Sequence, residues 1–131
     1  MPKKVQVKFL KFSIRKFVKS FSYAFFGICE VFHKEQNFKV HCLIGLVALL
    51  LGWFFHISAT EWCFLIVVIA LVLASEMVNT AIENLCDVAE PNQNEIIRVV
   101  KDISAGMVLI CALGALGVGV VIFLPKLLKL L

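Results

Sequence analysis

Three long apolar runs divide this chain, at about residues 40–57, 62–85 and 103–124, each near the roughly 20 residues that a helix needs to cross bilayer hydrocarbon. Residues 8–33, ahead of them, keep a different rhythm. Ile14, Phe17, Val18, Phe21, Phe25, Ile28 and Phe32 recur at steps of three and four along one helix face, while Lys11, Arg15, Lys16 and Lys19 fall largely on the other. The expected fold is therefore an all-α integral membrane protein over 1–131. An N-terminal amphipathic surface helix at about 8–33 lies in the inner interface, and three transmembrane helices follow it. A signal peptide fits poorly, because the charged region is long and no small-residue cleavage site ends the first span.

Composition strengthens this reading. Of 131 residues, 61% are hydrophobic, and the mean hydropathy is +0.96, outside the ordinary range of a soluble domain. Most apolar surface must face lipid, so stability rests on helix packing, satisfied backbone and neighbouring subunits, and an oligomer is expected. The third span carries Ser104, Gly106, Gly114, Gly117 and the small-xxx-small pair Ala115 and Gly119, which predicts close helix packing. Its GALGVG string follows no strand and contains no lysine, so it is read as span and not as a phosphate-binding loop.

Charge orients the chain. Lys3, Lys4, Lys8, Lys11, Arg15, Lys16 and Lys19 all precede the first span and should stay cytoplasmic. Because Phe9, Phe12, Phe17 and Phe21 are interleaved with them, anionic lipid headgroups are the expected partner and nucleic acid is not. The first connection holds Ser58, Thr60 and Glu61 without a lysine or arginine and should face outward, with Trp53 and Trp62 as its aromatic belt. The second, about 86–102, is rich in charge and returns to the cytoplasm. Lys126 and Lys129 oppose this orientation weakly. Cys29, Cys42, Cys63, Cys86 and Cys111 are single and read as small apolar packing residues, and His33, His41 and His56 have no zinc-site spacing.

The candidate chemistry lies in EMVNTAIENLCD, residues 76–87. Glu76, Asn79, Glu83 and Asp87 stay within a sector of roughly 80° on a helix, while Met77, Val78, Ile82 and Leu85 surround them. If the second span begins near Trp62, Glu76 lies about 21 Å inward and Glu83 about 10 Å further, near the cytoplasmic headgroups. An acidic side chain at mid-membrane costs roughly 2.5–3.5 kcal/mol and marks a polar cavity or a reaction site. A deep carboxylate that can reach a lipid hydroxyl and a shallow one that can hold a cation on phosphates suit phosphoryl transfer. Magnesium takes one or two carboxylates with phosphate oxygens and water, which Glu83 and Glu35, in KEQNFKVH, could supply. Desolvation makes Glu76 a better base than an exposed glutamate. The alternative is a small proton- or cation-coupled transporter with Glu76 as its carrier carboxylate, against which the charged site at Lys101 and Asp102 argues.

The motif E-x-x-N-T-A-I-E-x-x-x-D, followed by VKDISAG, resembles the prokaryotic diacylglycerol kinase family of three-span lipid kinases. SFSYAFFGI, KEQNFKVH and ISATEW occur in the expected order, so the resemblance runs from about Phe17 to Ala112. It implies ATP-dependent phosphorylation of a membrane lipid alcohol by a homotrimer with active sites between subunits, in the bacterial cytoplasmic membrane and at its cytoplasmic interface. By the same resemblance, Glu76 is the base on the lipid hydroxyl and Asn79 supports it. Glu35 and Glu83 coordinate the Mg²⁺ that accompanies ATP, Lys101 and Asp102 contact nucleotide, and Asp87 organises the cytoplasmic end. Lys16 and Tyr23 fall where the family contacts ATP or substrate, with Lys16 standing where an arginine can occur. The chain departs from the family where a PEYHP-like string is common, since it has Pro91, Asn92, Gln93, Asn94 and Glu95 there.

The implied substrate is diacylglycerol or undecaprenol. KEQNF, FHIS and ATEW look more like the undecaprenol branch of the family, and both lipids present a primary hydroxyl at the membrane surface.

Overall fold

The computed structural model describes residues 13–92 and 94–130, and among these it contains four helices and no strand. Helix α1 spans Ile14–Lys34, α2 Gln36–Phe54, α3 Ala59–Ala89 and α4 Glu95–Leu128. The last three are long and apolar enough to cross a membrane. The basic positions Lys3, Lys4, Lys8 and Lys11, and the start of the surface helix expected at about residue 8, lie outside the described residues. Within them, α1 begins after Ser13, whose backbone is extended.

A single residue separates α1 from α2. Glu35 (φ −95°, ψ 117°) is both the C-cap of one helix and the N-cap of the next. Lys39 Nζ reaches back 3.0 Å to the carbonyl of His33 and satisfies one of the open acceptors at the end of α1. Phe32 and buried Phe38 meet edge to face across the corner, with centroids 6.4 Å apart. Backbone geometry and packing thus both fix the bend.

At its other end α2 closes at Phe54, earlier than the hydropathy run to residue 57 implies. His56 has φ 51°, in the left-handed region, and its Nδ1 lies 3.1 Å from the Phe54 carbonyl. Ile57 then folds back and its amide donates to the Gly52 carbonyl at 3.2 Å. Gly52 is required here, since a Cβ would stand 3.0 Å from Ile57 Cδ1 and 3.0 Å from Trp62 Cη2. Trp62 packs beside a small core of Ile57, Leu65 and Ile122, whereas Trp53 is exposed.

Helix α3 starts in a capping box. Ser58 Oγ accepts from the Glu61 amide at 3.3 Å, and Glu61 Oε2 accepts from the Ser58 amide at 2.7 Å. The other oxygen, Oε1, accepts from Lys126 Nζ of α4 at 2.5 Å. One carboxylate therefore starts a helix and ties α3 to α4 at that end. The pairing also neutralises the charge of Lys126.

Helices α3 and α4 pack extensively together, α2 leans on α3, and α1 touches both α2 and α3. Of the small residues of α4, Ser104 is buried against α3, whereas the glycines face open space. A Cβ built on Gly106, Gly114, Gly117 or Gly119 meets nothing within 4 Å, while one on Gly45 of α2 would meet Ile69 Cγ2 at 3.1 Å. Glycines that sit against a neighbouring element of the chain are thus those of α2. Between α2 and α4, floored by α3, lies an apolar groove of about 510 Å³ whose lining includes His41, Gly45, Val72, Ala115 and Phe123. At 31 and 34 residues, α3 and α4 are about 46 and 51 Å long. Both exceed a hydrocarbon core of about 30 Å.

Candidate functional site

Polar side chains cluster on the second half of α3. Ser75, Glu76 and Thr80 are buried there. Ser75 Oγ donates to the Val72 carbonyl at 2.7 Å, and Thr80 Oγ1 donates to the Glu76 carbonyl at 3.0 Å. These two hydroxyls are satisfied by their own helix and leave the Glu76 carboxylate to another partner. That partner comes from α2: His41 Nε2 stands 3.2 Å from Glu76 Oε1.

One helical turn further, Asn79 links two helices. Its Nδ2 donates to Glu83 Oε1 at 3.0 Å, and its Oδ1 accepts from Ser104 Oγ of α4 at 2.6 Å. Ser104 Oγ also lies 2.9 Å from the Lys101 carbonyl, so its single proton is shared between two acceptors. At the end of the stripe Lys101 Nζ reaches Asp87 Oδ1 at 2.5 Å, closing α4 onto α3. Lys101 also lies within electrostatic reach of Glu83. Among the described residues no buried side-chain nitrogen or oxygen lacks a hydrogen-bond partner.

Of the residues singled out from the sequence, the structure joins Asn79, Glu83, Asp87 and Lys101 in this tract, with Glu76 one turn deeper. Glu35, half-buried at the α1–α2 corner, and Glu83 are both close enough for their charges to act on Glu76. Asp102 turns elsewhere. It accepts from Arg98 Nη1 at 2.8 Å on the exposed face of α4, and Arg98 also pairs with Glu95. Lys16 and Tyr23 are exposed on α1 and do not belong to the hydrogen-bonded tract. The Lys16 carbonyl accepts from Ser20 Oγ at 3.0 Å.

Two residues of the tract escape a reading of the sequence alone. His41 reads there as one interfacial histidine among three, although it falls six residues after Glu35 on the same approach to the membrane. Ser104 reads only as a small packing residue, although it follows Lys101 by three and shares its helical face. Both signals are present in the sequence, but neither names the partner.

An all-helical membrane protein with a carboxylate-bearing tract running from buried Glu76 to exposed Asp87 defines a class in which polar chemistry is carried out on membrane-borne groups. The chain belongs to the prokaryotic diacylglycerol kinase family, whose pattern matches residues 22–123, and it is a bacterial membrane lipid kinase. It is 33% identical over 114 residues to the undecaprenol kinase of Bacillus subtilis, covering 87% of this chain and 93% of that protein. A diacylglycerol kinase of Synechocystis sp. is 33% identical over 113 residues, 86% of this chain and 65% of that protein. A diacylglycerol kinase of Haemophilus influenzae is 26% identical over 108 residues, 81% of this chain and 92% of that protein.

Proposed function

We propose that this enzyme transfers the γ-phosphoryl group of ATP to the primary hydroxyl of a membrane lipid alcohol, and that undecaprenol is its substrate. The observation that carries this reading is the continuity of the tract. From Glu76, through Asn79 and Glu83, to Lys101 and Asp87, polar groups run from the buried part of α3 to its exposed end beside the start of α4. A lipid hydroxyl and a water-soluble nucleotide can meet along such a path. The likeness to the Bacillus subtilis undecaprenol kinase over 93% of that protein, together with the KEQNF, FHIS and ATEW strings, supports undecaprenol over diacylglycerol.

In this mechanism Glu76 takes the proton of the lipid hydroxyl as that oxygen bonds to the γ-phosphorus and the bond to ADP breaks. Asn79 holds Glu83 in position through its 3.0 Å hydrogen bond. Lys101, carried by Asp87, presents its charge to the phosphates, and Asp102 works from the same turn of α4 with Arg98 as its neighbour. Lys16 and Tyr23 complete the nucleotide and substrate contacts from α1.

The residues fit magnesium. Its usual protein share beside a nucleotide is one or two carboxylates. Glu35 and Glu83 offer that number, and both lie close enough for their charges to act on Glu76. Bound with ATP, the ion would neutralise charge on the phosphates. Glu83 keeps Oε2 for this role, since Oε1 is engaged by Asn79.

The working enzyme in this reading is a homotrimer in the cytoplasmic membrane, its N-terminus inside and α1 in the inner interface against anionic headgroups. Glycines of α4 with open space around them support further packing partners for that helix. The deciding assay is side-by-side phosphorylation of undecaprenol and diacylglycerol in mixed micelles with labelled ATP. Preferential labelling of undecaprenol is expected. Preference for diacylglycerol would overturn the substrate assignment, and no labelled product from either would overturn the reaction.

A further inference from the structure

We infer that His41 is a positioning residue for the carboxylate of Glu76, fixing one of its oxygens so that the other faces the lipid hydroxyl. The inference rests on the reading of Glu76 as the base. It begins with how donors are spent around a side chain that is 5% exposed. Ser75 and Thr80 are the neighbouring hydroxyls on α3, and both donate to backbone carbonyls of that helix. Asn79 donates from its amide nitrogen to Glu83 and accepts at its oxygen from Ser104. His41, from a different helix, is the group that comes to Glu76, with Nε2 at 3.2 Å from Oε1.

The charges around Glu76 give that contact its purpose. Glu35 from the α1–α2 corner and Glu83 from α3 both repel its carboxylate, and His41 from α2 acts in the opposite sense. The cation on α4, Lys101, is directed to Asp87 and Glu83. Without His41, the Glu76 carboxylate is free to rotate in a desolvated site between two like charges. With it, Oε1 is held and Oε2 is left for the substrate. Donation from Nε2–H suffices for this whether the imidazole is neutral or charged.

His41 is placed to link base and substrate in space as well. Its side chain is 23% exposed and forms part of the lining of the apolar groove between α2 and α4. A chain lying in that groove would bring its head to the same imidazole that aims Glu76.

The test uses full-length enzyme in mixed micelles with undecaprenol and magnesium ATP. His41→Ala is expected to lower kcat about 10- to 100-fold, the scale of a misaimed reacting group, and to leave KM for ATP within about twofold. His41→Gln, whose amide can donate at similar reach, should recover most of the loss. In a Glu76→Asp background, where the shorter side chain draws the carboxylate back from His41, adding His41→Ala should cost much less than in the wild type.

Unchanged kcat in His41→Ala, a loss confined to KM for ATP, or full additivity with Glu76→Asp would each overturn the inference. If His41→Ala does not accumulate as folded protein, His41→Asn replaces it, because that amide is too short to reach Oε1. Equal kcat for the Asn and Gln variants would then overturn the role. Wild-type turnover in Glu76→Gln would remove the base reading itself. An inactive Glu76→Gln beside a fully active His41→Ala would remove only the role of His41.

Discussion

Ser104 on α4 sets the orientation of Asn79 on α3. By donating to Oδ1 at 2.6 Å, its hydroxyl leaves the amide's Nδ2 directed at Glu83, and a flipped amide would set its oxygen against the Glu83 carboxylate. A helix that supplies no carboxylate to the tract is thus linked to the Glu83 carboxylate through Asn79.

Removing that link should be visible in turnover. Ser104→Ala is expected to lower kcat about five- to tenfold, in line with about 1 kcal/mol for a lost hydrogen bond, while Ser104→Thr keeps the hydroxyl and most of the activity. Steady-state kinetics of both variants, with folding checked by thermal melting in detergent, decide the point. Equal activity in all three proteins would mean that Asn79 is aimed by something else.

Glu76 and Glu83 should fail differently. Glu76→Gln is expected to abolish turnover, at least about 100-fold, while leaving nucleotide affinity largely intact, because it removes a proton acceptor. Glu83→Gln should chiefly weaken magnesium-nucleotide affinity. Titration calorimetry with magnesium ATP beside turnover assays separates the two effects. Equal losses of ATP binding would refute this division of roles.

Asp87→Asn removes the negative partner of Lys101. The lysine remains charged but loses its anchor at 2.5 Å, so KM for ATP should rise several-fold. Lys101→Met should raise it further, and the double variant should match Lys101→Met alone. Additive losses would show that Asp87 acts independently of Lys101.

Two glycines make opposite predictions for stability. Gly52→Val pushes a branched side chain into Ile57 and Trp62, where even a Cβ has only 3.0 Å, and overpacking of this kind costs about 1–3 kcal/mol. Gly117→Ala meets nothing within 4 Å in this chain and should be neutral or stabilising by about 0.5–1 kcal/mol as a helix substitution. A Gly117→Leu variant tests the open face against partners. Loss of the oligomer on size exclusion, with helicity retained, is the expected result.

Much of this architecture is legible in hydropathy, because the bilayer imposes length and apolarity on any segment that crosses it. Hydropathy marks where a span leaves hydrocarbon and not where helical hydrogen bonding stops. Helix α3 therefore continues through Cys86 and Asp87 to Ala89, and α4 begins at Glu95, well before its apolar run. Conversely, α2 ends at Phe54 within an apolar stretch, because the turn at His56 closes it. The spacing of Glu76, Asn79, Glu83 and Asp87 is a local property of one helix and is readable directly. The contacts of His41 with Glu76 and of Ser104 with Asn79 depend on which helices face each other and at what height, and no single-helix periodicity carries that register.

Glu35 has a final consequence. Because it is the sole residue between α1 and α2, a helix expected to float on the membrane surface is geared directly to one anchored across it. On the proposed reading, a tilt of α1 relative to α2 would turn the backbone of the carboxylate assigned to the magnesium nucleotide. The physical state of the lipid matrix would then be an input to catalysis, so turnover in vesicles of different thickness is expected to differ.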